Sequence, residues 1–388
     1  MAEQRKFYGQ EEFSKGLEGV IACESKIGYI DGQKGWLIYR GIEIGDLAEH
    51  STYEETAYLL LFGKLPTRKE LDEFNEKLVK YRKIDPRVAE IIRDMPPKAH
   101  PMALLRTAFS ALGTYEDPAK VDEFDLEVWT DLGIKAISQM ATVAAEIGRL
   151  RAGQPPVEPD PNLNHASNFF YMLTGRKPNE LEADVMNKAL ILHADHGLNA
   201  STFTAMVVAS SLSDIYSAIT GGIASLKGPL HGGANERTLK MFMEIGEPEN
   251  AKAYIEDKLA KKVKIMGMGH RVYKAYDPRA RILSSYAERL AKLSGNEKLY
   301  IIAKEVEKVM IERLGKKGIF PNVDFYSGIV YYSLGIDPKM FTPIFAVARV
   351  AGWVARVLEY LHSNRIFRPR AVYTGPLKAE YIPIDQRS

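Results

Sequence analysis

The chain has 388 residues and a formal net charge of +2, with 46% hydrophobic and 26% charged residues. That length guarantees a sizeable core and favours two domains, and so slight a charge, with basic residues scattered, gives no electrostatic footprint for nucleic acid. The single cysteine, Cys23, excludes an internal disulfide, a zinc ribbon and a CxxC redox pair, and fits a reducing compartment. In chain order, Glu3, Arg5, Lys6, Glu11 and Glu12 interrupt any apolar leader. The stretch GLEGVIACESKIGYIDGQKGWLIYRG then reads as two short extended pieces punctuated by Asp31-Gly32 and Lys34-Gly35.

After this the pattern is helical. Thr52 with Glu55, Thr67 with Glu70, and Asn179 with Glu182 carry the capping-box spacing ahead of apolar stripes. Pro86, Pro96-Pro97 and Pro101 mark off two further helices, and Leu126 to Leu150 is a long one stopped by Gly153. The segment QPPVEPDPN is an extended connector, either a domain boundary or a surface loop. The nearly uncharged run from Ala200 to Leu212 predicts a buried helix, and no apolar run is expected to span a membrane. Helices are expected at Ser217 to Lys227, after His231, near 249–262, 278–294 and 297–314, and from Thr342 to Asn364. The proline-bearing tail from Arg368 is expected to be extended. The class is all-α with a minor β contribution near the N-terminus.

Chemistry concentrates in a few glycine-rich loops. In KIMGMGHRVYKAYDPR, His270 lies between a Gly-x-Gly pair and a cationic segment, and Asp277-Pro278 opens a helix that carries Arg279. An imidazole and a fixed guanidinium on one loop suit a substrate bearing carboxylates. His231, in LKGPLHGGANE, is expected at a helix N-terminus, where the dipole disfavours a positive ring; a neutral imidazole there can donate to a developing enolate oxygen. The competing reading is an ordinary N-cap histidine. Asp324, in IFPNVDFYSG, is surrounded by apolar residues that would raise its pKa and make it a better base; the alternative is a helix N-cap aspartate. Arg349 sits in the apolar FAVARVAGW, where it needs either a buried ion pair or an anionic ligand. Arg368 and Arg370 flank Pro369, and Lys316-Lys317 would meet phosphates or form a solvated turn. His193 and His196 are spaced i, i+3, short of the zincin pattern. Neither a P-loop nor a Rossmann fingerprint is present.

Four blocks in one order, HADHGLNAS, GPLHGGANE, MGMGHRVYKAYDPRA and PNVDFYSG, together with NRIFRPRAVYTGP, resemble the citrate synthases of the short bacterial and archaeal type over nearly the whole chain. The resemblance implies a helical homodimer with a large domain of 1–219 and 326–388 and a small domain of 220–325 that closes over substrate. It implies condensation of acetyl-CoA with oxaloacetate, then hydrolysis to citrate and CoA, with no metal or redox cofactor. By motif, Asp324 is the base, His231 stabilises the enol, and His270 donates to the oxaloacetate carbonyl. His196, His270, Arg279 and Arg349 bind oxaloacetate, with Arg368 reaching the partner's site. Leu230, Lys264, Ile265, Met266, Gly267, Met268 and Lys316 receive CoA. Competing readings are a 2-methylcitrate synthase using propionyl-CoA, a metal-dependent all-α hydrolase, and a non-catalytic helical binding protein. A cytoplasmic protein without nucleic-acid or membrane partners is expected.

Overall fold

The computed structural model describes residues 13–376 and 378–387. The leader reading rests largely on residues 1–12, which lie outside the described residues. The chain divides into two compact units, one made of its two ends (up to Glu24, and Ile366–Ser388) and one of Ser25–Arg365. In the first, short 3-10 turns at Lys15–Leu17 and Ile384–Gln386 punctuate otherwise irregular backbone. Among the described residues from Arg368 onward, that last turn is the one helical element.

The second unit opens with a three-stranded antiparallel sheet, β1 (Gly28–Asp31), β2 (Trp36–Tyr39) and β3 (Ile42–Glu43), in the order β1-β2-β3. Tyr29 faces Ile38, and Ile38 faces Glu43. The third strand, too short for a period to show, is an addition to the two expected pieces.

Seventeen α-helices follow. They are α1 (Ile44–His50), α2 (Tyr53–Phe62), α3 (Arg68–Lys80), α4 (Pro86–Asp94), α5 (Pro101–Thr114), α6 (Pro118–Val121), α7 (Leu126–Arg151), α8 (His165–Thr174) and α9 (Glu180–His193). Then come α10 (Ala200–Ser210), α11 (Ile215–Leu226), α12 (Ala234–Ile245), α13 (Ala251–Ala260), α14 (Pro278–Leu293), α15 (Glu297–Leu314), α16 (Val323–Ser333) and α17 (Phe341–Leu361). Reciprocal capping boxes form at Thr52/Glu55, Thr67/Glu70 and Asn179/Glu182. Each satisfies two otherwise unpaired helix-end donors. Pro86 and Pro101 occupy first turns, where no N–H is needed.

The core is organised around α17, which packs against α7, α2, α9, α10 and α11. Here the sequence expectation needs correcting. Pro338–Leu361 is long and apolar enough to cross a membrane by length and composition, with a mean hydropathy of 1.4 over its most apolar window. That window is 94% buried inside the protein. Lys339, Arg349 and Arg356 break the run in sequence and hid its length. Gly352 on α17 brings the turn after α9 close, since a Cβ there would sit 2.2 Å from the Ala194 carbonyl oxygen.

Candidate active site

One wall of the site is built from helix ends. Tyr39 on β2 donates its hydroxyl to the Asp195 carbonyl (2.8 Å), and the buried Asp195 carboxylate accepts a two-pronged pair from Arg356 (Nε 3.1 Å, Nη2 2.7 Å). These contacts, with Gly352, fix the turn that presents His196. The His196 Nε2 meets the Tyr273 hydroxyl at 3.1 Å, and its ring stands edge-on to His270 with centroids 5.1 Å apart. Two expected substrate-binding histidines, distant in sequence, are thus neighbours.

His231 departs from its sequence-based account. Helix α12 begins at Ala234 behind Gly233, a left-handed cap with φ 71°, so His231 precedes the cap and does not occupy it. The helix end that meets the ring belongs to α10. The Ser201 main-chain N–H, in that helix's first turn, donates to His231 Nε2 at 3.3 Å, and Ser201 Oγ lies 2.8 Å from the same nitrogen. Trp353 Nε1 donates to that hydroxyl (3.1 Å). With Nε2 an acceptor, the ring proton is assigned to Nδ1. Burial, helped by the Arg349 charge, pulls the His231 pKa down to about 4, so the ring is neutral at pH 7.

Arg349 is 1% exposed. It donates Nε to the His193 carbonyl (2.7 Å) and stacks 4.7 Å over the Phe345 ring. Among the described residues it makes no ion pair, so the buried-salt-bridge reading is not met. Burial lowers its pKa to about 10. A buried cation without a carboxylate is costly in an empty protein and is relieved by an anionic ligand. Phe345 also contacts the rings of His193 (5.0 Å) and His231 (6.5 Å), so one aromatic side chain spaces three groups of this wall.

The opposite wall is built from two loops stitched together. Met268 and Pro321 form an antiparallel bridge, Gly269 N–H donates to the Phe320 carbonyl (2.8 Å), and Asn322 N–H donates to the Gly267 carbonyl (2.9 Å). The Asn322 amide Nδ2 adds a bond to the Gly269 carbonyl (2.8 Å) while its Oδ1 accepts from Asp324 N–H (3.0 Å). Asn322, and not Asp324, is the N-cap of α16. That removes the helix-cap explanation for Asp324. Gly267 has φ 73°, and a Cβ there would press on the Phe325 Cα at 3.0 Å, so the stitch needs glycine. On the far side, Lys274 N–H donates to the Gly32 carbonyl of the β1–β2 turn (2.8 Å).

His270 Nδ1 accepts from the main-chain N–H groups of Val272 (2.9 Å) and Tyr273 (3.2 Å). This fixes the proton on Nε2 and leaves that nitrogen as a donor. Burial, reinforced by Arg279, holds its pKa down at about 4. Asp277 caps α14 and grips Arg279 by Nε (3.0 Å) and Nη2 (2.8 Å). Its Oδ2 also accepts from Val323 N–H (3.2 Å), next to Asp324. Burial pulls the Arg279 pKa down, and Asp277 more than offsets it. Asp324 is half-buried on the first turn of α16, and desolvation raises its pKa to about 6 against the opposing charge of Arg279. Arg349 is also within electrostatic reach of Asp324, His231 and His196, and Arg279 of Asp324, His196 and His270. The two arginines are therefore the common neighbours of the candidate residues.

The remaining candidates are spread more widely. Leu230 is fully exposed, Lys264 and Lys316 are exposed, and the Ile265 and Met268 side chains are core, with Gly267 buried between and Met266 half-buried. Arg368 is exposed in the unit of chain ends, with Nη1 3.5 Å from the Pro369 carbonyl. His193 donates Nδ1–H to the Ala189 carbonyl (2.7 Å). Among the described residues no three His, Cys, Asp or Glu side chains gather as a metal site. Sequence reasoning missed Tyr273, Phe345 and Ser201, and saw Asp277 only as a helix start. Only Asp277 and Asn322 left a local signal, the Asp-Pro and Pro-Asn dipeptides.

The family model described as "Citrate synthase, C-terminal domain" matches residues 16–370. The chain is 50% identical over 374 residues to a citrate synthase of Deinococcus radiodurans, covering 96% of this chain and 99% of that one. It is 45% identical over 379 residues to that of Haloferax volcanii, covering 97% and 99%. Among solved structures, it superposes with a TM-score of 0.92 on a Thermoplasma acidophilum citrate synthase in ternary complex with carboxymethyl coenzyme A and oxaloacetate. Identity there is 40%, over 97% of this chain and 100% of that one. The Pyrobaculum aerophilum citrate synthase gives 0.91 at 45% identity, covering 96% and 95%. Sequence, fold and full-length coverage agree, and the chain belongs to the citrate synthase family.

Proposed function

We propose that the two walls catalyse the condensation of acetyl-CoA with oxaloacetate through a division of labour among three side chains. A thioester methyl is a very weak acid, and a carboxylate takes its proton only if charge on the carbonyl oxygen is stabilised at the same moment. Asp324 removes that proton. His231, neutral and with its proton on Nδ1, donates to the enolate oxygen. The enol carbon then bonds to the keto carbon of oxaloacetate, whose oxygen receives the His270 Nε2–H as it becomes an alkoxide. Water cleaves the resulting thioester, giving citrate and the CoA thiol. His196, Arg279 and Arg349 hold the two carboxylates of oxaloacetate, and this chemistry uses no metal or redox cofactor.

The observation that carries this reading is Arg349, buried and without a carboxylate partner among the described residues, beside two neutral imidazoles. A dianionic keto acid supplies the missing charge. The segment Lys264–Met268, with Leu230 and Lys316, receives CoA. The chain works as a cytoplasmic homodimer in which Arg368 serves the partner's site, and 220–325 forms a small domain that closes to exclude water from the enol. Thiol release from acetyl-CoA and from propionyl-CoA, each with oxaloacetate, tests it. Greater efficiency with propionyl-CoA overturns the substrate choice, and no thiol release overturns the reaction.

A further inference from the structure

The loop wall has a further tie, remote from the reacting groups. Glu307 on α15 is 5% exposed and accepts from hydroxyls of two different catalytic segments. Tyr276, whose hydroxyl bonds Oε1, directly precedes Asp277 on the loop that carries His270 and leads into α14 with Arg279. Tyr326, whose hydroxyl bonds Oε2 at 2.5 Å, is two residues beyond Asp324 on α16. Lys304, one turn earlier on α15, pairs with Oε2. A buried carboxylate is costly unless it is paired and hydrogen-bonded. Here its charge is offset by one lysine, and both oxygens take hydrogen bonds.

We propose that Glu307 is a positioning residue for the condensation: its carboxylate sets the spacing between the segment that holds the electrophile, through Tyr276, and the helix that carries the base, through Tyr326. This rests on the roles given above to Asp324 and His270. The main-chain stitch joins the loops at Gly267–Gly269 and Phe320–Asn322, and the Asp277–Val323 bond joins them again, while Glu307 ties Tyr276 to Tyr326 beside Asp277 and Asp324. Each separated tie removes a pivot that the others leave. Neither tyrosine hydroxyl is free to serve the substrate, because each is committed to the carboxylate.

The test is a set of four variants of the full chain: Glu307→Gln, Tyr276→Phe, Tyr326→Phe and the double phenylalanine variant. Glu307→Gln keeps the shape and one acceptor. It is expected to lower kcat about 10- to 100-fold, as a misplacement near 1 Å does, with oxaloacetate Kd changed less than about twofold. If the carboxylate works by joining two arms, losing either arm loses the tie. The double variant then falls no further than the worse single, a non-additivity read directly from the cycle. Effects that multiply overturn the proposal, as does a Glu307→Gln protein with lowered Tm but unchanged kcat per folded site. Asp324→Asn in the same assay separates the layers. If it keeps full turnover, the base assignment has failed. If it is inactive while Glu307→Gln is unimpaired, only the positioning role has failed.

Discussion

Arg279 and Arg349 are both buried cations of one site, yet the loop wall and the helix wall hold them in opposite ways. Arg279 is neutralised in advance by Asp277, which also caps α14 and bonds the backbone beside Asp324. Its charge is part of the scaffold. Arg349 rests on a main-chain carbonyl and an aromatic face, with no carboxylate partner among the described residues. Its charge is unspent until a ligand arrives. The difference teaches that two buried cations proposed for one anionic substrate can be prepared in different ways, Arg279 oriented in advance by a counter-charge and Arg349 left to take its counter-charge from the ligand.

The sharpest break in that comparison is at Asp324, which belongs to the loop wall but contacts only the acyl donor in the mechanism above. Asp324→Asn is expected to cut condensation by about 10²–10⁴-fold, with oxaloacetate Kd within about twofold by calorimetry. Equal loss of binding and turnover would place the residue on the wrong substrate. Next come the arginines. Arg279→Leu strands the buried Asp277 and is expected to destabilise the protein by about 3–5 kcal/mol in urea unfolding. Arg349→Leu removes an uncompensated charge. It is expected to leave unfolding within about 1 kcal/mol of the parent while weakening oxaloacetate at least about 100-fold, since truncating a charged contact costs several kcal/mol. Should the two exchange these phenotypes, the contrast is wrong.

The pH profile gives a smaller, graded effect. Asp324 must be ionised to act, and its pKa is raised to about 6, whereas His231 and His270 stay neutral down to about 4. Turnover is therefore expected to fall about tenfold per pH unit below about 6, with the limb set by the carboxylate. A limb centred near 4 would assign it to the imidazoles. The smallest effect belongs to Ser201→Ala. The main-chain N–H still faces His231 Nε2, so only a hydroxyl bond is lost, worth about a two- to tenfold drop in kcat.

Much of this was legible from the chain. The three capping boxes were written in residue identity three positions apart, and α17, α14 and α9 followed from apolar period and proline placement. Helices α1, α6 and α8 were not. The first two are short, and α8 starts at an Asn cap with no glutamate three residues on. Within the site, residues on glycine-rich loops announced themselves. Tyr273, Ser201 and Phe345 did not, because each is a plain core or helix residue until a partner 30 or more positions away gives it work. His231 shows the limit most clearly. Its neutrality was expected, but from the wrong helix, since nothing local couples position 231 to the start of α10.

The hydrogen bond from Lys274 to Gly32 has a consequence for how the enzyme is made. The β1–β2 turn leaves the ribosome early, while the loop that docks on it follows roughly 240 residues later. At about 5–20 residues per second, the hairpin waits on the order of ten seconds or more for its partner. A nascent chain arrested before residue 270 has the hairpin and most of its helices but lacks the loop that docks on the hairpin turn.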